Sequence, residues 1–300
     1  MTPKVQAKSL VKIFDDVRAL DGLDMAVAEG AVYGLVGPNG AGKTTVLNHV
    51  SGAYRPTSGE VLVAGKPVFE NPQLKATIAF IPSDFYYYQQ ASIKDMRDLH
   101  AAVLPGFDSQ RFEQLGDVFS LDVRRNVRSL SKGMQKQLAF WLALSQRPDL
   151  LLLDEPLDGL DPAARHLVLG IVMDEVAERG MTVLVSSHNL RELTDVCDYV
   201  GIMDRGRMHL ERSLSELQDN FVKAQVAFAD AEHAVPATLD IVHDSLQGKL
   251  HTLVVRGTAD EVEQALSGEG AVFVNMLPLS LEEIFIYEMG GAHHANGILD

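Results

Sequence analysis

The chain has 300 residues, 46% of them hydrophobic, enough for a sizeable buried core and too many for a disordered chain. Its 41 acidic residues against 26 basic give a net charge of −15, which argues against a nucleic-acid partner, since phosphates call for a basic face. The single cysteine, Cys197, excludes an internal disulfide and fits a reducing cytosol.

No stretch approaches the roughly 18 to 20 uninterrupted apolar residues of a membrane span. The first residues, "MTPKVQAKSLVK", lack the apolar core of a signal peptide. A cytoplasmic protein is expected, reaching any membrane through another polypeptide. In chain order, "AKSLVKIF", "VRALDGLDMAV", "AVYGLVG" and "GEVLVAG" read as strands separated by turns. From Ser92 to about Arg147 the period lengthens to that of helices, with Ile93, Met96, Leu99 and His100 at one-face spacing. "LLLLDE" is a short apolar run ended by acids, the pattern of a buried parallel strand. "AARHLVLGIVMDEVAERG" reads as a helix ending at Gly180, "MTVLVSSH" as another buried strand, and "LRELTDVCDYV" as another helix. Strand and helix alternating in this way predict a parallel sheet covered on both faces.

After about Ser213 the pattern becomes α+β: a short helix at "LSELQDN", and strands at "FVKAQVAF", "DIVHDSL" and "LHTLVVRG", the last two joined around Gly248. "TADEVEQALSG" is a helix with a Thr258/Glu261 capping box, "AVFVNM" a strand, and "SLEEIFIYEM" a final helix. The expected division is a larger α/β domain over 1–214, with a helical part at about 90–147. An α+β domain follows over 215–289, then a tail over 290–300 whose His293–His294 pair reads as solvated.

The strongest chemical signal is "GPNGAGKTT", Gly37 to Thr45, which matches the phosphate-loop spacing between an apolar strand and a helix. Gly37, Asn39, Gly40, Ala41, Gly42 and Thr45 belong to a loop whose backbone N–H groups can face phosphate oxygens, helped by the helix N-terminus. Lys43 is placed to reach the β- and γ-phosphates, and the Thr44 hydroxyl to bind Mg²⁺. "LLLLDEP" delivers Asp154, a candidate Mg²⁺ ligand, to the strand's carboxyl end. Glu155 follows as the candidate acceptor of a proton from attacking water.

With these motifs the chain resembles the nucleotide-binding subunits of ABC (ATP-binding cassette) transporters. "LSKGMQKQLAF" is similar to the family's signature sequence, departing at Lys132 and Met134 while Ser131, Gly133 and Gln135 stand. "DGLDP", with Asp161, resembles the D-loop; His188 matches the switch histidine; Phe14 is placed like the aromatic that stacks on adenine. The resemblance covers about residues 4–215. It implies a P-loop NTPase fold, a RecA-like core with a helical subdomain, and an ATPase using ATP and Mg²⁺. It further implies that two such subunits close head to tail over two ATPs, with the signature residues Ser131, Gly133 and Gln135 facing the partner subunit and Ser131 and Gly133 donating to the γ-phosphate across the interface. His188 would orient the water that Glu155 deprotonates. The implied partners are a second ATP-binding subunit and a separate transmembrane permease, with the protein peripheral on the cytoplasmic face of the cell membrane.

One position departs from the family. Where a glutamine usually touches Mg²⁺ and water, "FIPSDFYYYQQ" has Ser83. Its hydroxyl, the Asp84 carboxylate, or Gln89 or Gln90 swinging in are the candidate replacements, against no direct metal contact. Tyr86, Tyr87 and Tyr88 follow where the family builds its permease groove, and adjacent residues cannot all face inward. They are the candidate docking residues, because tyrosine buries area while keeping a polar tip. "LPLSLEEIFIYEM" resembles the ending common in exporter ATPase subunits, so export is the expectation. An importer subunit, a non-transport ABC-type ATPase and a cassette that binds ATP without turnover are the alternatives.

Overall fold

The computed structural model describes residues 3–88, 90–228, 235–236, 238–268, 270–277, 279–280, 283–284 and 287. The elements run β1 (Val5–Phe14), β2 (Val17–Val27), β3 (Val32–Val36), α1 (Lys43–Val50), β4 (Ser58–Val63), β5 (Lys66–Pro67), α2 (Pro72–Lys75) and β6 (Ile78–Ile81). Next come α3 (Ile93–Val103), α4 (Ser109–Phe119), α5 (Lys132–Ser145), β7 (Leu150–Asp154), α6 (Pro162–Arg179), β8 (Thr182–Ser187), β9 (Tyr199–Asp204) and β10 (Arg207–Ser213). The chain continues through α7 (Leu214–Asp219), β11 (Phe221–Phe228), β12 (Asp240–Gln247), β13 (Leu250–Arg256), α8 (Ala259–Gly268) and β14 (Ala271–Leu277).

These elements form two compact units, one from the described residues of 1–188 and 195–211, the other from those of 189–194 and 212–300. In the first unit, β3, β7 and β8 are buried along their whole length, as a parallel sheet covered on both faces requires. The sheet order is β10-β9-β3-β8-β7-β6, with β9, β3, β8, β7 and β6 all parallel. Parallel strands end on one edge, so the segments after β3, β6, β7 and β8 open side by side there. A second sheet, β2-β1-β4-β5, is antiparallel and supplies Val5, Leu23, Val27 and Val63 to the core under α1.

The helices between β6 and β7 begin at side-chain caps: a Ser92/Asp95 capping box for α3, Asp108 for α4 and Ser131 for α5. Trp141 of α5 stacks on Phe112 of α4 at 4.2 Å and donates its indole N–H to the Phe112 carbonyl at 2.6 Å. At the far end of α5, the Gln146 amide donates to the carbonyls of Ala76 and Ile78, seating that helix on β6.

The second unit contains an antiparallel sheet, β12-β13-β11-β14. One face buries Val222, Ala224, Val226, Leu253 and Val255 against Val262 and Leu266 of α8. The Thr258/Glu261 capping box forms as its spacing predicts. Of the final "SLEEIFIYEM" stretch, Glu283 pairs with Lys223 at 2.6 Å and Ile284 is buried. Residues 281, 282, 285, 286, 288 and 289 of that expected helix, Gln89, and the tail with His293–His294 lie outside the described residues.

The helix expected over "LRELTDVCDYV" does not form. Leu190–Glu192 make a single 3-10 turn capped by Asn189, turns follow, and Tyr199 already belongs to β9. Thr194 turns its hydroxyl onto the Leu190 carbonyl, and β-branched Thr194 and Val196 are poor helix formers. The Asp198 carboxylate accepts from the Val32 N–H at 2.8 Å, drawing the chain onto β3 instead. The β9–β10 hairpin, which sequence reading passed over, turns at Arg205–Gly206. Both have positive φ, as a tight two-residue hairpin turn demands.

Candidate functional site

The loop leaving β3 carries Gly40 at φ +83° and Gly42 at φ +107°, conformations that a side chain would strain. A Cβ on Gly42 would also meet the Ala19 carbonyl at 2.8 Å. The loop therefore curls tightly into α1, and Asn39 to Thr45 line a cleft of about 540 Å³ together with Val17, Arg18, Ser83 and Glu155. Gly37 lies beneath, its N–H donating to the Ser187 carbonyl.

Asp154 is fully buried at the end of β7, with one carboxylate oxygen accepting from the Thr44 hydroxyl at 2.8 Å and the other from Ser186 at 2.6 Å. The pair thus brings a hydroxyl and a carboxylate oxygen together, hard donors of the kind Mg²⁺ takes. Glu155 sits one residue on and is held from both sides. Lys43 Nζ lies 3.2 Å from Oε1 and donates to the Gly37 carbonyl at 2.6 Å. His188, after β8, brings Nδ1 to 2.9 Å and its backbone N–H to 3.2 Å of Oε2. Oxygen or nitrogen atoms of Glu155, Asp158 and His188 all lie within 4.8 Å of one another.

The hydrogen bond to Glu155 raises the pKa of His188, and burial only partly opposes it. A raised folded-state pKa stabilises the fold fully below the ordinary histidine pKa, and that contribution disappears as pH rises through the raised value. His188→Gln should accordingly reduce the melting temperature more at pH 5.5 than at pH 8.5. Equal losses at the two pH values would dismiss the pairing.

Other sequence-predicted residues fall at varied distances from this cluster. Ser83 lines the phosphate-loop cleft, whereas Asp84 faces a neighbouring cleft beside Lys132 and Asp158, and Gln90 is exposed. Asp161 caps α6, accepting from the Ala164 N–H at 2.9 Å. Ser131 is exposed at the start of α5 and accepts from the Met134 N–H; Gly133 is half-buried beside it. Gln135 turns away, donating its amide to the carbonyls of Val127 and Leu130 and so bracing the turn before the helix. Phe14 is not among the residues lining the cleft. It packs edge-on against Tyr54 at 5.4 Å, with the Lys12 ammonium 4.8 Å over its ring.

The three tyrosines divide. Tyr86 is 97% exposed and Tyr88 68%, but Tyr87 is half-buried, stacked on Phe85 and donating its hydroxyl to the Gln135 carbonyl at 3.0 Å. Burial raises the Tyr87 pKa. Tyr87 thus ties the segment after β6 to α5 and offers a partner less surface than its two neighbours. Lys136, which sequence reading left unmarked, donates to the carbonyls of Glu155 and Asp158 at 2.8 Å each. The available signal was a lysine placed four residues before Phe140 on the buried face of an apolar helix.

Residues 20–158 match the family described as "ABC transporter". The chain is 30% identical over 287 residues to the "ABC transporter ATP-binding protein YtrB" of Bacillus subtilis, covering 96% of this chain and 98% of that one. It belongs to the ABC transporter ATP-binding proteins. It is 31% identical to the "Nod factor export ATP-binding protein I" of Cupriavidus metallidurans, covering 95% and 97% of the two chains. A solved "ATP binding subunit of ABC transporter" superposes with a TM-score of 0.67 at 26% identity, covering 71% of this chain and 91% of the other. The protein is an ATP-binding subunit of an ABC transporter, an ABC ATPase on the P-loop NTPase fold. Among the described residues, no helix is long and apolar enough to cross a membrane.

Proposed function

We propose that this subunit drives export of a solute through a separate membrane permease. Two cassettes would close over ATP at the cytoplasmic face of the membrane and reopen on hydrolysis. The observation that carries the hydrolytic part is the contact of Lys43 and His188 with opposite oxygens of Glu155, beside the Thr44–Asp154 pair. The phosphate loop binds the triphosphate through its N–H groups and the Lys43 ammonium. Glu155 takes the proton of the attacking water, and His188 holds that carboxylate and orients the water. Thr44 and Asp154 would hold Mg²⁺, which when bound neutralises charge on the phosphate oxygens. Ser131 and Gly133, at the start of α5, serve the γ-phosphate of the partner subunit. Phe14, outside the phosphate-loop cleft but partly exposed, would stack on the adenine, a role that rests on its resemblance to the family's aromatic.

The cassette spans 1–214 in this reading, with an appended α+β domain over 215–289 and a tail beyond. Export is favoured over import by the exporter-like "SLEEIF" ending and by the relative named for Nod factor export. For Mg²⁺ contact at the position of the usual glutamine, its place on the cleft favours Ser83 over Asp84. Ser83→Gln is expected to raise turnover by roughly fivefold, the worth of about 1 kcal/mol from one added hydrogen bond. Unchanged turnover would remove this position from the metal site.

The permease would dock at an apolar cleft of about 260 Å³, lined by Phe80, Phe85, Tyr86, Met96 and Leu142. Tyr86 and Tyr87 line this cleft, Tyr86 as its exposed rim, and Tyr88 is exposed two residues on, so the docking role stays with all three tyrosines. A photo-activatable residue at position 86 in the native cell tests the reading. A captured polytopic membrane protein supports a transporter and names the permease. Capture of soluble proteins alone would overturn the transport reading.

A further inference from the structure

Glu155 has a backbone φ of +47°, in the left-handed region that a glutamate occupies only when its surroundings hold it there. Two sets of bonds do so. Its N–H donates to the backbone carbonyl and the side-chain hydroxyl of Ser186, each at 3.2 Å. Its carbonyl accepts at 2.8 Å from the ammonium of Lys136.

Lys136 reaches that carbonyl from α5, the helix that begins at Ser131, and is only 5% exposed. A buried ammonium is costly unless its charge is met by hydrogen-bonding oxygens. Here the carbonyls of Glu155 and Asp158 meet it, each at 2.8 Å. The same group therefore spans the turn from the Glu155 carboxylate to the segment before Asp161. A neutral side chain could bridge the two carbonyls only with weaker bonds, since charged donors bind roughly twice as strongly as neutral ones.

We propose that Lys136 is the positioning residue for Glu155. It pins the left-handed backbone at that residue and fastens the Glu155–Asp158 turn to the signature helix, so that helix and carboxylate move as one piece. Any displacement of α5, by a second subunit or by a permease docked beside it, then reaches the proton acceptor directly through one side chain. This inference rests on the reading of Glu155 as the proton acceptor, and the test separates the two.

The experiment compares ATP turnover and nucleotide affinity of the full chain as wild type, Lys136→Met, Glu155→Gln and the double variant. Methionine keeps the apolar stem and removes the ammonium, and with it the bonds to the Glu155 and Asp158 carbonyls. Lys136→Met is expected to lower kcat by about 10- to 100-fold, the cost of losing charge-assisted bonds. KM and nucleotide affinity should stay within about twofold, since no phosphate-loop contact is touched. In the Glu155→Gln background the same substitution should cost nothing further, because it acts through that carboxylate. If Lys136→Met fails to give a cooperative melt, Lys136→Gln, which keeps an N–H donor, carries the same comparison.

Near-wild-type turnover of Lys136→Met beside an inactive Glu155→Gln would overturn the proposal and leave the site reading standing. A loss of nucleotide affinity equal to the loss of kcat, or an additive loss in the double variant, would reduce Lys136 to a fold-stabilising role and also overturn it. Wild-type turnover by Glu155→Gln would overturn the site reading itself, and the proposal with it.

Discussion

Glu155→Gln should bind ATP with wild-type affinity, hydrolyse it hardly at all, and accumulate as a closed dimer. Glutamine has nearly the same shape, and its carboxamide oxygen can still accept from Lys43 or His188, now 3.2 and 2.9 Å from the two carboxylate oxygens. What it lacks is the capacity to take a proton at neutral pH, and general-base catalysis is typically worth about 10²–10⁴-fold. Binding survives because the loop N–H groups and Lys43 are untouched. The closed state then has no route forward, and its population rises for want of the step that reopens it. Steady-state phosphate release gives the first half, and size-exclusion chromatography with saturating ATP and Mg²⁺ the second. Turnover near the wild-type rate would remove Glu155 from the role. Full inactivity with no dimer at any ATP concentration would leave the chemistry intact and dismiss the closure step.

Much of the cassette was legible because the relevant signals are local. Fully apolar runs such as "LLLLD" announce buried parallel strands, and the glycines of "GPNGAGKTT" announce a backbone that only glycine adopts without strain. The convergence of Asp154, Glu155 and His188 on the phosphate loop then follows from parallel strands ending on one edge. Residues whose role depends on what lies across a contact were less legible. "LRELTDVCDYV" has helical composition, yet Asp198 bonds the Val32 N–H and draws the segment into the sheet. Three consecutive tyrosines carry no sign of which one turns inward; the Gln135 carbonyl, 48 residues away, selects Tyr87. Lys136 and Gln135 lie side by side in the signature stretch. Gln135 was read as facing a partner, but its amide is taken by Val127 and Leu130. Lys136 carries no local mark of its role and is the buried link to Glu155.

Lys43→Ala should fail at the earlier step and lose nucleotide binding altogether at working concentrations. The ammonium is buried and lies between the Gly37 carbonyl at 2.6 Å and Glu155 at 3.2 Å. Removing it takes away the cation that meets the phosphates and also leaves the Glu155 carboxylate beside them without its lysine partner, with only His188 still bonded to its other oxygen. The first effect alone is worth about 1.5–3 kcal/mol, roughly 10- to 150-fold in affinity. The second adds like-charge repulsion in a partly buried site, where screening is weak. Calorimetric titration of ATP measures the loss directly, and the rise in melting temperature that ATP gives the wild type should vanish in the variant. The two contributions can be separated, because Lys43→Ala combined with Glu155→Gln removes the repelling charge. The double variant should recover part of the lost affinity while remaining inactive. If the double variant binds no better than Lys43→Ala, the loss comes from the missing cation alone, and the Lys43–Glu155 contact has no bearing on affinity. If Lys43→Ala binds ATP as the wild type does, the phosphates do not sit where the loop after β3 places them.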